Sequence, residues 1–156
     1  MSELIEERLR RLDLELPAAH SPGGGVAGVV VHAGTARTSG QLPREDGRVA
    51  VTGRLGESVS LEEGCRAARL CVLNALAALG AEIGPLDRVD RVLVLTGFVA
   101  CTPDFDGQPA VMDAASQLLV DVFGEAGRHA RSAIGVTALP RGAAVEVELT
   151  VSLRDA

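Results

Sequence analysis

Arg131, Glu146 and Glu148 are the side chains of this 156-residue sequence that best combine into chemistry. An arginine's planar fork grips a carboxylate with two parallel hydrogen bonds and stays charged. A glutamate within reach can hold a water or carry a proton. Together they suit a small 2-oxo or 2-imino acid. Imine hydrolysis asks for little more. Once the nitrogen is protonated, a positioned water attacks the carbon, and ammonia leaves from the tetrahedral intermediate. Taken singly, the residues have plainer readings: solvated acids on a half-exposed strand, and an arginine in a surface ion pair.

These residues lie in "GRHARSAIGVTALPRGAAVEVELTVSL", residues 127–153. The stretch reads as a strand, a turn at Pro140-Arg141-Gly142 and a second strand, so a hairpin is expected, with the glutamates one strand away from Arg131. In the second strand Val145, Val147, Leu149 and Val151 share one face. Glu146, Glu148, Thr150 and Ser152 share the other.

The preceding elements must hold this segment in place. Ser2 as N-cap and a stripe of Leu4, Ile5, Leu9 and Leu12 predict a helix closed by Pro17. "VAGVVVHAG" and "TARTSG" read as strands, and Glu45-Asp46-Gly47 as a turn. Ser60 and Glu63 form a capping box for a long helix that Gly80 and Gly84 are expected to stop. "DRVDRVLVLTGFVAC" is nearly all apolar, as in a strand covered on both faces. A second helix carries Pro109 in its first turn and ends at Gly124 and Gly127, with Asp104 and Asp106 read as a turn and N-cap. The order predicts an α+β layer of helices on one sheet. The sheet's other face is most simply covered by a second copy of the chain.

Composition narrows the chemistry. The net charge of −6, three Phe and the absence of Tyr, Trp and Lys argue against a broad nucleic-acid surface or a stacking platform. Without lysine there is neither Schiff-base catalysis nor a Walker-type phosphate loop. No apolar run reaches the ~18 residues of a membrane span, and the charged start has no signal-like apolar core. Cys65, Cys71 and Cys101 show no CxxC or disulfide spacing, which suits a reducing, cytoplasmic setting. Cys65 and Cys71 read as buried small hydrophobes. His20, His32 and His129 lack metal-ligand spacing. His129 is read as a turn residue that could also reach toward Arg131. "GGG" at 23–25 reads as a connector.

Three motifs in order carry a resemblance. "HARSAIGVTALPRGAAVEVEL", "TSGQLP" (residues 38–43) and "LCVLNALAALGAEIG" followed by "DRVDRVLVLTGFV" resemble the signatures of the Rid family, the YjgF-like proteins once called endoribonuclease L-PSP. The resemblance covers roughly residues 24 to 152. It implies a chorismate-mutase-like α+β fold, a mixed sheet with two helices on one face. Here an N-terminal helical extension (residues 1–20) is added to a single domain, 1–156. The resemblance further implies a homotrimer whose sheets form an inner barrel, with ligand clefts between subunits and no cofactor or metal. The implied activity is hydrolytic deamination of small 2-imino and 2-enamino acids to 2-oxo acids and ammonia. By motif, Arg131 takes the carboxylate and Glu146 positions the water. Gly40 and Ala133 line the cleft through backbone, and Asp113 stands near a helix position that is often asparagine. The family tyrosine is missing, Ala133 replaces a frequent cysteine, and Arg37 stands at a usually apolar strand position. A non-catalytic binder of small carboxylates is the alternative, and an endoribonuclease the third reading.

Overall fold

The computed structural model describes residues 4–155. Two helices, α2 (Leu61–Ile83) and α3 (Gln108–Phe123), pack on one face of a five-stranded mixed sheet. The strands are β1 (Val29–His32), β2 (Thr35–Thr38), β5 (Val89–Ala100), β6 (Ala130–Val136) and β7 (Val145–Leu153), in the spatial order β1-β2-β7-β5-β6. A short ribbon of β3 (Arg44–Glu45) and β4 (Arg48–Val49) turns at Asp46-Gly47, both with positive φ. This is the chorismate-mutase-like α+β architecture that the motifs imply.

Local chemistry explains most boundaries. Ser60 Oγ accepts from the Glu63 amide (3.1 Å) and Glu63 returns a carboxylate oxygen to the Ser60 amide (2.8 Å), so α2 starts with its capping box closed. The helix runs through Gly80, because Leu79 and Ile83 continue its buried stripe. It stops at Gly84, whose φ of 82° no side-chain-bearing residue adopts cheaply. α3 begins after Gly107, with no side chain capping it, so Asp104 and Asp106 are not its N-cap. Ser2 lies outside the described residues. The short α1 (Ile5–Arg11) docks by its own route: the Ile5 amide donates to Asp87 Oδ1 and Arg8 Nη1 to the Val122 carbonyl at the end of α3.

The core lies between the helices and the sheet. Ala67, Cys71, Ala75 and Ala78 on α2 are small, so α2 and α3 approach closely over Leu95, Val99, Val147 and Leu149. A Cβ on Gly97 would fall on the Met112 side chain, so glycine there lets α3 lie against β5. Burial pushes the Cys71 thiol far above its usual range, which makes it an inert hydrophobe. Cys65 is only partly buried, over the α3 backbone at Ala110. α2 has the length and hydropathy of a membrane helix, but most of it is buried in this core.

Two expectations about the sheet fail. β6 and β7 are not a hairpin: β5 lies between them, parallel to β6 and antiparallel to β7. Pro140–Gly142 is a turn of 3-10 helix on the path from one flank of β5 to the other. β5 is not covered on both faces within the chain either. Leu95, Gly97 and Val99 are buried under the helices, whereas Val94 is 38% exposed on the open face.

Candidate functional site

Register decides which side chains can meet. Across β6, β5 and β7, Arg131 is level with Leu95 and Leu149, and Ala133 with Gly97 and Val147. All these positions face the helices. Glu146 is level with Phe98, one residue out of phase, and Glu148 with Thr96, so both acids lie on the open face. Within one chain the sheet separates the candidates. Arg131, Ala133 and Asp113 come together on the helix side; Glu146 and Gly40 come together on the other.

On the helix side, Arg131 is tethered at one end. Its Nη1 donates to Asp113 Oδ1 (2.9 Å) and to Ser116 Oγ (3.2 Å), three residues apart on the same flank of α3. Ser116 Oγ is 2.9 Å from His129 Nε2, and His129 Nδ1 is 2.6 Å from the Gly127 carbonyl. A carbonyl only accepts, so Nδ1 bears the proton. The assignment that satisfies every atom has Arg131 donating to Ser116 and Ser116 donating to Nε2. Both hydrogens of Nη1 are then used. No described residue engages Nε or Nη2, and that edge is itself a bidentate fork. The Arg131 side chain is 23% exposed and that of Asp113 71%, so the fork is partly sheltered and the acid open to solvent. Ala133, partly buried, sits one pleat further along β6.

On the open side, Gly40 and Glu146 are brought together by backbone pairing. Gln41 and Val147 exchange both hydrogen bonds (2.8 and 3.0 Å), which lays the loop after β2 along β7. A Cβ on Gly40 would coincide with the Glu146 carboxylate, so only glycine lets the carboxylate rest on this backbone. Glu146 has no donor among the described residues. Its carboxyl is held above the usual carboxylate range, first by burial and then by the neighbouring charge of Glu148. Glu148 has a cation of its own: Arg37 Nη2 reaches it at 2.8 Å. The unusual arginine of β2 thus neutralises the second acid and leaves the first unpaired.

Ser116 had no signature in the sequence, since a serine inside a helix is ordinary. Its spacing from Asp113 becomes informative only once α3 is known to lie against β6. His129 is more than a turn residue: it closes the hydrogen-bond chain behind Arg131. Among the described residues no group of three or more His, Cys, Asp or Glu could hold a metal ion.

The comparisons agree with this architecture. A family profile described as "YjgF/chorismate mutase-like, putative endoribonuclease" matches residues 6–153. Protein TCP17 of Trypanosoma cruzi is 44% identical over 152 residues, 97% of this chain and 95% of that protein. A crystal structure of an Agrobacterium tumefaciens protein of unknown function superposes with a TM-score of 0.90 at 41% identity, covering 96% of this chain and 92% of that one. A Shewanella oneidensis structure with the same endoribonuclease description gives 0.93 at 33% identity, covering 97% and 100%.

Proposed function

The chain belongs to the YjgF/chorismate mutase-like family, and on that footing we propose that it hydrolyses small 2-imino and 2-enamino acids to 2-oxo acids and ammonia. One observation carries the reading: Arg131 is anchored through Nη1 with its Nε–Nη2 edge left open, a fork set to receive a planar carboxylate.

The steps follow from that anchor. The substrate carboxylate docks on the open edge of Arg131, with the backbone of Ala133 and Gly40 lining the cleft. Its protonated imine nitrogen, a cation, is turned toward the free oxygen of Asp113. Glu146 takes a proton from a water whose oxygen bonds to C2, forming a tetrahedral carbinolamine. Glu146 passes that proton to nitrogen; as the C–N bond breaks, the hydroxyl gives its own proton back to Glu146, so ammonia leaves and the 2-oxo acid remains. A glutamate held above its usual range suits this shuttling, because a proton carrier works best when its affinity lies nearer the working pH.

Arg131 and Glu146 of one chain face away from each other, so the reading requires two copies. In the proposed homotrimer the open faces turn inward as a barrel, and each cleft takes Arg131 from one copy and Glu146 from its neighbour. The exposed Val30, Val94 and Ile134 on the open face support such burial. A second reading, a carboxylate binder without turnover, draws on Asp113, which already satisfies half of Arg131. An endoribonuclease, as the family description has it, is disfavoured by the charge of −6, the lack of lysine and the scarcity of aromatics.

Ammonia release from freshly generated 2-iminobutanoate tests the proposal. Wild type is expected to accelerate it, and Arg131→Ala to lose about 100-fold or more in kcat/KM. Wild type no faster than the spontaneous rate, with 2-oxobutanoate still bound, would leave the binder reading in its place.

A further inference from the structure

A polar cavity under the N-terminal strap is lined by neither Arg131 nor Glu146. Between α1 and β1 the chain runs without regular structure, Leu14 and Leu16 resting on the core. Residues 17–21 of this strap roof a cavity of about 380 Å³. Its other walls are Arg44, Asp46 and Gly47 from the β3–β4 ribbon and Asn74 from α2. A neighbouring cavity of about 420 Å³ shares Pro17, Ala18, Arg44 and Asp46, so Arg44 stands where the two meet. The volume matches a small metabolite.

One cation and one acid, Arg44 and Asp46, line the cavity, and no salt bridge joins them. The Arg44 guanidinium has no hydrogen bond or ion pair among the described residues. The acid beside it in sequence, Glu45, is taken by Arg66 at 2.7 Å. Arg141, also without a partner among the described residues, adopts a φ of 56° in the turn before β7. It and Arg44 both lie close enough to His20 to disfavour its protonation, after burial, which is the larger cause. Arg44 and His20 thus share this wall with one acid, Asp46. Asn74, 2% exposed, fixes the ribbon by donating Nδ2 to the Arg44 carbonyl (2.9 Å) and the Leu70 carbonyl (2.8 Å). Its Oδ1 is buried without a donor.

We propose that this cavity binds a small metabolite whose anionic head, a carboxylate or a phosphate, is held by Arg44. His20 flanks the head. An amino or hydroxyl group of the same molecule turns toward the Asp46 carboxylate. The strap, joined to α1, closes over the ligand, so occupancy also ties the N-terminal extension to α2.

Calorimetric titration and thermal shift on the full Arg131→Ala chain, in which the proposed active-site fork is gone, test this with L-alanine for the carboxylate source and glycerol 3-phosphate for the phosphate source. Binding of either raises Tm in that background. Adding Arg44→Ala weakens that binding about tenfold or more, since a charged hydrogen-bonding anchor is removed. His20→Ala gives a smaller loss in the same direction and, being an exposed position, does not endanger folding. The proposal is overturned if neither probe binds at millimolar concentration in the Arg131→Ala chain, or if binding there survives the addition of Arg44→Ala.

Discussion

On the helix side of the sheet, Arg131 is held by Asp113 and Ser116, with His129 behind them. On the open side, Glu146 rests against the Gly40 backbone with no donor from any described residue. Under the proposed mechanism the contrast separates two jobs. An anchor must keep one geometry, so its rotamer is fixed by hydrogen bonds that leave one edge free. A proton carrier must change charge, so a paired cation would hold it permanently ionised. Glu148, two residues along the same strand, shows the other outcome: given Arg37, it is a structural ion pair on the surface.

The difference can be broken at either end. Removing the proposed proton carrier should have the largest effect. Glu146→Gln is expected to lower kcat for imine hydrolysis by about 10²–10⁴-fold with KM nearly unchanged. Single-turnover and steady-state kinetics on the same preparations check this, and a variant that loses only KM would make Glu146 a binding residue.

Loosening the anchor should cost less and show in the other parameter. Ser116→Ala removes one Nη1 acceptor and the link to His129. KM is expected to rise about tenfold and kcat to change by less than about twofold, the signature of a displaced carboxylate fork. If Ser116→Ala lowers kcat alone, the serine acts on the reacting atoms and not through Arg131.

The smallest effect is on stability. Glu146 has its affinity for protons raised by folding, so its contribution is fully present below the ordinary carboxylate range and is lost as pH rises through its folded value. Wild type should therefore lose Tm across that interval relative to Glu146→Gln. At neutral pH the variant should melt higher by on the order of 1–3 °C, a difference kept small by solvent around the half-buried carboxylate. Melting curves from pH 4 to 8 check the sign, and a variant less stable at neutral pH contradicts it.

Much of this was legible in the residues, and what was missed has a common cause. Ser60 with Glu63, the alternation of Val145 to Val151 and the apolar run of β5 are local signals, and each element formed where it was read. The resemblance of the motifs supplied the architecture, and the grouping of Arg131 with Asp113 and Ala133 was visible through it. The hairpin was misread because Leu139-Pro140-Arg141-Gly142 looks the same whether it joins neighbouring strands or carries the chain past one. The strand that intervenes, β5, ends 30 residues before β6 begins, and no local pattern announces a pairing of that separation. The face of Glu146 relative to Arg131 depends on this insertion. Gly80 was taken as a stop because glycine often is one, but the buried stripe on either side carried the helix through. Ser116 could not be seen at all, since its meaning comes only from the strand it faces.

The central claim is that Arg131 and Glu146 act together across two copies of the chain, and complementation tests it most directly. Arg131→Ala and Glu146→Gln chains are each nearly inactive on 2-iminobutanoate by this account. Co-assembled at equal amounts, they should regain about one quarter of wild-type activity, because in random mixtures that fraction of clefts receives both native residues from different copies. If the mixture stays as inactive as its components while size-exclusion chromatography and mass spectrometry show mixed assemblies, the two residues do not share a cleft between copies, and the proposed mechanism fails.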